Sequence, residues 1–112
     1  MGLKEYLFGF DSESRACEFL VQNGCEIVER NFSSRYGEID IIARRDGILH
    51  FIEVKATSKD YEAIYRLTPQ KYTKILKAID FYLLKNGVEF DFQIDLITIE
   101  KHKISWIENI SL

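Results

Sequence analysis

Two short acidic runs near the middle of the chain carry the residue types that could do chemistry. The first is Gly-Glu-Ile-Asp at residues 37–40, and the second is Phe-Ile-Glu-Val-Lys at residues 51–55. Carboxylate oxygens are the ligands that magnesium and manganese prefer, and a lysine beside them can contact an anion. Residue types at this spacing indicate metal-dependent chemistry on a phosphate group.

The segment between the two runs fixes how they meet. Asp46-Gly47 lies between two apolar, β-branched runs, a strong hairpin signal. If these residues form a two-residue turn, the numbers of antiparallel partners add up to 93, so Asp40 faces Glu53 and Glu38 faces Lys55. Opposed side chains share one face of a sheet, and like charges placed there are destabilising. A divalent cation between the carboxylates is the simplest explanation.

This register predicts a site for Mg²⁺ or Mn²⁺. Asp40 and Glu53 would be ligands together with the backbone carbonyl of Val54, and Lys55 would orient water or contact the scissile phosphate. The alternative is an exposed strand pair joined by salt bridges. It is disfavoured because apolar residues such as Phe51 share the charged face, and buried charges are rarely left unpaired.

The opposite face of the hairpin is predicted to be apolar. In this register it pairs three residues of the first strand with three of the second: Ile39, Ile41 and Ala43 with Val54, Ile52 and His50. A slip of one residue would exchange the two faces, so the pattern is consistent with one register only. His50, on an apolar face, is interpreted as a hydrogen-bonded core residue.

The elements that hold the hairpin read as helix, three strands, helix and two strands, in a single domain over residues 1–112. The first helix is predicted to begin at Asp11 or Ser12 and to end at Asn23-Gly24. Glu13 then lies in its first turn. It is either an acid favoured by the helix dipole or a further acid leaning over the site. The first strand is predicted at residues 25–33.

The second helix is predicted to begin at Thr68-Pro69, because a cap residue precedes proline at the first helical position, and to end at Asn86-Gly87. Lys71, Lys74 and Lys77 lie off its apolar stripe. They are either contacts for nucleic acid or an ordinary solvated face. The preceding stretch, residues 56–67, is predicted to be a loop.

Two further strands are predicted at residues 90–100 and 103–110, joined near Lys101-His102. Asp95 lies among apolar residues of the first of these strands. We interpret it as a structural acid or as an acid that supports the metal ligands from behind. His50 and His102 have no neighbours at the spacing typical of metal ligands.

Composition limits the choice of partners. The formal net charge is −3, which argues against a strongly basic nucleic-acid binder, but residues 55–85 carry 7 basic and 3 acidic side chains. Cys17 and Cys25 form neither a zinc motif nor a disulfide framework. No stretch is long enough to span a membrane, and the apolar patch at residues 3–10 is interrupted by charges, unlike a signal peptide. A cytoplasmic location without membrane contact is expected.

Several motifs together closely resemble the YraN-like family of small bacterial nucleases. They are Arg-Asn-Phe at residues 30–32, Gly-Glu-Ile-Asp-Ile-Ile-Ala at 37–43, Phe-Ile-Glu-Val-Lys at 51–55 and Thr-Pro-Gln-Lys at 68–71. That family lies in the PD-(D/E)XK superfamily, near the Holliday-junction resolvases. The resemblance extends from about Glu13 to Asp95. It implies an α/β fold with a restriction-endonuclease-like core, in which helices flank a mixed central sheet.

The resemblance also implies roles for five acidic and basic residues. Asp40, Glu53 and Lys55 match the superfamily triad, Glu13 an additional acid of the first helix, and Glu38 the acid of the Gly-Glu-Ile-Asp motif. The implied activity is metal-dependent endonucleolytic hydrolysis of DNA, including branched DNA, in repair or recombination. DNA is favoured over RNA as the partner, and a homodimer is an alternative to a monomer.

A second function remains open. The chain could be a non-catalytic module that keeps the nuclease fold and binds nucleic acid or protein. The acid-acid-lysine set favours the enzyme, because a binding module has no need of opposed carboxylates. The net charge of −3 favours the module, or an enzyme that binds weakly alone.

Overall fold

The computed structural model describes residues 2–56, 67–87, 91–100 and 102–110, with side chains described from Ser12 onward. Within these residues, two helices flank a five-stranded mixed sheet. The elements, in chain order, are α1 (Gly2–Gln22), β1 (Glu26–Ser34), β2 (Gly37–Arg45), β3 (Ile48–Ala56), α2 (Pro69–Asn86), β4 (Phe92–Ile99) and β5 (Ile104–Ile107). The predicted α/β class is confirmed, and the arrangement is compatible with a restriction-endonuclease-like core.

The strands lie in the order β1-β2-β3-β4-β5, and only the β3–β4 pair is parallel. A parallel pair needs a crossover connection, and α2 lies in the segment that joins these two strands. The core therefore has two halves. α1 packs on one face of the sheet around Leu20 and Ile52, and α2 packs on the other around Phe51 and Ile79.

The predicted hairpin register is confirmed from the turn up to the Ile41–Ile52 pair, whereas the predicted pairs Asp40–Glu53 and Glu38–Lys55 lie beyond the end of the ladder. Asp46 and Gly47 have φ values of 53° and 76°, so both adopt the left-handed conformation that a two-residue type I′ turn requires. Ala43 pairs with His50, Ile42 with Phe51 and Ile41 with Ile52. Each pair adds up to 93, as expected from the sequence.

The prediction that Ile39 shares a face with Ile41 is wrong. Ile41 belongs to the core half under α1, whereas Ile39 packs with Phe32 in the half under α2. Asn31 gives the physical reason, because its φ of 53° interrupts β1 next to Asp40. The β1–β2 pairs on either side of this interruption are Arg30–Ile41 and Phe32–Ile39. Regular alternation of side chains is therefore lost beside Asp40.

The predicted start of the first helix is also wrong. α1 begins at Gly2 and continues through Asp11 and Ser12, and no proline occurs in this segment to stop it. Its predicted end is confirmed, since Gly24 has a φ of 86° and its N–H donates to the carbonyl of Val21. No helix in the described residues is both long and apolar enough to cross a membrane.

Both predicted ends of α2 are confirmed. The hydroxyl of Thr68 accepts a hydrogen bond from the Lys71 N–H, and Pro69 is the first helical residue. Gly87 ends the helix in the left-handed conformation, with a φ of 62°. Most of the loop predicted at residues 56–67, namely residues 57–66, lies outside the described residues.

Asp95 is a structural acid at the centre of a buried hydrogen-bond network. One carboxylate oxygen accepts from the Gln93 amide and the Asn109 N–H, and the other bonds His50 Nδ1 at 2.6 Å and the Trp106 indole at 2.9 Å. Asp95 and His50 are fully or almost fully buried. The interpretation of His50 as a hydrogen-bonded core residue is confirmed.

Replacing Asp95 should strongly destabilise the protein. In Asp95→Ala, the buried His50 Nδ1 loses its partner, and three part-buried hydrogen bonds from Gln93, Trp106 and the Asn109 N–H are lost as well, so we expect the free energy of unfolding to fall by about 3 kcal/mol or more. Chemical denaturation measures this change. The control is Asp91→Ala, an exposed acid just before β4, which should stay within about 0.5 kcal/mol of the parent. Equal losses in the two variants would contradict the network's role.

Candidate active site

A cleft of about 230 Å³ lies between the beginning of β2, the end of β3 and the first turns of α2. Gly37 and Lys74 face each other from the two walls, since a Cβ at position 37 would be in ordinary contact with the Lys74 Cβ, at 3.7 Å. The cleft is lined by acidic, basic and apolar side chains: Gly37, Glu38, Glu53, Lys55, Leu67, Lys71, Lys74 and Ile75.

Asp40 lies where β2 and β3 stop pairing. The backbone ladder ends at the Ile41–Ile52 pair, one residue short of the predicted opposition of Asp40 and Glu53. In its place, the Asp40 carboxylate accepts the Val54 N–H at 2.8 Å. Burial raises the pKa of Asp40, and the bond from Val54 offsets part of that effect. The carboxylate thus takes the position of a missing backbone partner.

Glu53 is the more perturbed of the two acids. Its side chain is only 17% exposed, and its Oε2 lies 3.9 Å from Lys55 Nζ. Burial, followed by the charge of Asp40, raises the pKa of Glu53 to about 7, and the charges of Lys55 and Lys71 oppose the shift. With a pKa of about 7, the Glu53 carboxyl is about half protonated at neutral pH, and a further positive charge beside it would favour the ionised form.

Glu13 is held near Asp40 from the α1 side of the sheet. Its Oε1 accepts from Arg30 Nε at 3.1 Å and from Asn31 Nδ2 at 2.9 Å. Its charge contributes to the raised pKa of Asp40. The left-handed conformation of Asn31 allows consecutive residues of β1 to reach the same carboxylate. Glu13 is therefore a neighbour of Asp40, and its catalytic role stays a prediction.

The other predicted site residues do not all meet at the cleft. Glu38 lies at its exposed mouth, and Lys71 and Lys74 line the α2 wall. Lys77 lines a separate groove further along α2. Sequence reasoning assigned no role to Arg30 and Asn31. The one indication in the sequence was the asparagine itself, since asparagine is one of the few residues besides glycine that tolerate a positive φ.

A second group of potential metal ligands lies away from the cleft. Ligand atoms of His50, Asp95 and Glu108 lie within 4.8 Å of one another. Both oxygens of Asp95 already accept two hydrogen bonds each, and Glu108 Oε1 accepts from Arg45 and Gln93. A cation here would have to displace these donors, so the group is better suited to holding β4 and β5 together.

The fold and the cleft define a small α/β protein with a restriction-endonuclease-like arrangement and a cluster of acids at the edge of a hairpin. Residues 12–99 match the family described as "Uncharacterised protein family UPF0102", and the chain belongs to that family. A UPF0102 protein of Campylobacter hominis is 66% identical over 112 residues, covering all of both chains. UPF0102 proteins of Campylobacter concisus and Campylobacter fetus are 62% and 58% identical over essentially their full lengths.

The raised pKa of Glu53 predicts how the metal-free protein responds to pH. Because its pKa rises from 4.5 in the unfolded chain to about 7, the folded state binds the extra proton between these values. Stability should therefore fall as pH rises from about 4.5 to about 7, by up to about 3 kcal/mol from this group. Denaturation across this pH range, in the presence of a chelator, measures the slope.

Glu53→Gln should remove most of that slope, since the amide has no proton to lose. The control, Glu18→Gln, changes an exposed acid of α1 and should keep the slope of the parent. An identical pH dependence in Glu53→Gln and the parent would show that Glu53 ionises normally.

Proposed function

We propose that this protein is a nuclease that uses a divalent metal ion, Mg²⁺ or Mn²⁺, to hydrolyse phosphodiester bonds in DNA. The observation that carries the proposal is that Glu53 and Lys55 line an open cleft and that a second partly buried carboxylate, Asp40, lies close enough for its charge to raise the pKa of Glu53. Lys71 and Lys74 on the opposite wall would contact phosphates. Branched DNA in repair or recombination is the substrate class we favour.

The donor set fits a hard divalent cation. One oxygen of Asp40 is committed to the Val54 N–H, and among the described residues its other oxygen has no hydrogen-bond donor. The nearest cation to Glu53 in the described chain is Lys55, at 3.9 Å. Two carboxylates with free oxygen atoms, both disfavoured as anions by their surroundings, are suited to Mg²⁺ or Mn²⁺.

The backbone of Val54 supports the third predicted ligand. Its N–H points across to Asp40 on β2. In a strand, the N–H and C=O of one residue face the same neighbour. We therefore expect the Val54 carbonyl to face Asp40 as well, where it would complete a set of three oxygens with Asp40 and Glu53. The assignment of the metal to these groups is part of the proposal.

The residues of the chain would divide the work of hydrolysis. When bound, the cation would neutralise charge on the phosphate and lower the pKa of an attacking water. Lys55, with a side chain 31% exposed, would orient that water or contact a phosphate oxygen. Glu38 at the mouth and Glu13 behind Asp40 would add negative charge that strengthens cation binding. Lys71 and Lys74 would hold the DNA backbone.

A non-catalytic binding module is the second candidate function. The observation that favours it is the net charge of −3, which leaves few basic side chains for gripping a polyanion. In that case the cleft would bind nucleic acid or a protein segment without cutting it. The two candidates differ in whether the carboxylates are needed for a chemical step.

Substitutions at the triad should separate metal binding from catalysis. Asp40→Asn and Glu53→Gln should each weaken Mn²⁺ binding by about tenfold or more, because each removes a charged ligand. Lys55→Ala should abolish cleavage and leave Mn²⁺ affinity within about threefold. The control is Asp91→Asn, which should match the parent. Titration calorimetry and cleavage of labelled branched, flap and linear DNA, with manganese or with chelator, are the measurements.

The parent's behaviour in the same experiment decides between the candidates. Cleavage that requires manganese and is lost in all three triad variants supports the nuclease. DNA binding without cleavage under every condition favours the module. Unchanged Mn²⁺ affinity in both carboxylate variants would overturn the metal assignment.

The cleft lysines should act through phosphate contacts. In Lys71→Ala with Lys74→Ala, we expect weaker binding to all DNA sequences. The magnitude of the slope of log affinity against log salt concentration should also decrease by about 2, because each phosphate contact releases about one counterion and two contacts are removed. Lys103→Ala, which changes a lysine before β5, is the control. A double variant that binds as the parent does across a salt series would place DNA elsewhere.

A further inference from the structure

A second concave surface adjoins the cleft along α2. This groove, here called the Tyr36 groove, has a volume of about 270 Å³ and is lined by Tyr36, Lys77, Asp80, Phe81 and Leu84. It begins where the cleft ends, since Tyr36 precedes Gly37 and Lys77 follows Lys74 by one helical turn. A ligand bound in the cleft would therefore lie near the groove.

The groove exposes large apolar and aromatic surfaces. Phe81 and Leu84 are 39% and 84% exposed. The Tyr36 and Phe81 rings lie 6.3 Å apart at 60°, and Phe81 rests on Phe32 with ring centroids 6.2 Å apart. The aromatic rings are thus held in place by neighbours while part of their surface faces solvent. Adjacent exposed apolar side chains of this kind are typical of a binding surface.

Positive charge surrounds these rings. Lys77 lines the groove, Lys74 lies at its junction with the cleft, and the Arg35 guanidinium is centred 5.0 Å from the Tyr36 ring. Asp80 is the one acid among the described lining residues. Aromatic rings interleaved with lysine and arginine are the combination by which proteins bind single-stranded nucleic acids, with bases on rings and phosphates on cations.

We propose that the Tyr36 groove binds an unpaired base of a single-stranded nucleic acid, with the base against Tyr36 and Phe81 and the adjacent phosphates on Lys74 and Lys77. A volume below the roughly 300 Å³ of the smallest drug-sized pockets suits one planar base. The inference rests on the proposed function and deepens it. It places an unpaired nucleotide beside the cleft, which would select substrates with a single-stranded segment next to the scissile phosphate.

The test measures binding without catalysis. Fluorescence anisotropy in chelator would compare single strands of about ten nucleotides, as DNA and as RNA, with strands of equal length that are abasic throughout. We expect the base-bearing strands to bind roughly 5- to 150-fold more tightly. The DNA and RNA arms show which sugar the groove prefers.

Conservative variants identify the groove as the site. Phe81→Leu and Tyr36→Leu keep apolar volume and should lose most of the preference for base-bearing strands, whereas Tyr36→Trp should keep it. Phe92→Leu is the matched control, because Phe92 is 40% exposed and lies at the far end of β3 and β4 from the cleft. Thermal melts check that each variant is folded.

Three outcomes would overturn the inference. Equal binding of abasic and base-bearing strands would show that only phosphates are held. An unchanged preference in both Phe81→Leu and Tyr36→Leu would place the base elsewhere. A change in oligomeric state in these variants, seen by sedimentation without a change in oligonucleotide affinity, would assign the groove to a second copy of the chain. A base preference in a protein that never cleaves DNA would support the groove and refute the nuclease.

Discussion

The register of the β2–β3 hairpin is the constraint on which the candidate site depends. Because side chains alternate between the faces of a strand, a slip of one residue would send Glu53 and Lys55 to the α1 side. The left-handed Asp46-Gly47 turn fixes the register at one end. At the other end the strands part, and the Asp40 carboxylate accepts the free Val54 N–H. The carboxylates of Asp40 and Glu53 therefore lie at the point where the backbone pairing of β2 and β3 stops.

Placing Asp40 and Glu53 close together in a partly buried position has an energetic cost. Burial raises the pKa of both Asp40 and Glu53, so the metal-free site is not at its electrostatic optimum. A purely structural pair of acids would be expected to have acquired donors, as Asp95 has. Functional sites commonly retain unfavourable local energies that the remaining core offsets. Here the surrounding apolar core on both faces of the sheet supplies that compensation.

Local chemistry accounts for what the sequence could predict. The hairpin register follows from Asp46-Gly47, and both ends of α2 follow from Thr68-Pro69 and Gly87, because each depends on neighbouring residues only. The reversed face of Ile39 could not be predicted. It depends on Asn31, which lies in another strand and adopts a left-handed conformation where Glu13 accepts its amide hydrogen. Such a tertiary contact leaves no periodic signal.

The acids around Asp95 and the acids Asp40 and Glu53 differ in how their oxygens are satisfied, and this difference supports the proposal that a cation would bind at Asp40 and Glu53. Asp95 receives four donors and is fully buried, so its charge is already solvated by the protein. Among the described residues, Asp40 accepts one backbone N–H, and the nearest cation to Glu53 is Lys55 at 3.9 Å. If only the distances between potential ligand atoms were considered, His50, Asp95 and Glu108 would be the better ligand set, since these atoms lie within 4.8 Å of one another. The number of hydrogen bonds that the carboxylates already accept favours Asp40 and Glu53 instead, because a cation binds where oxygen lone pairs are still available.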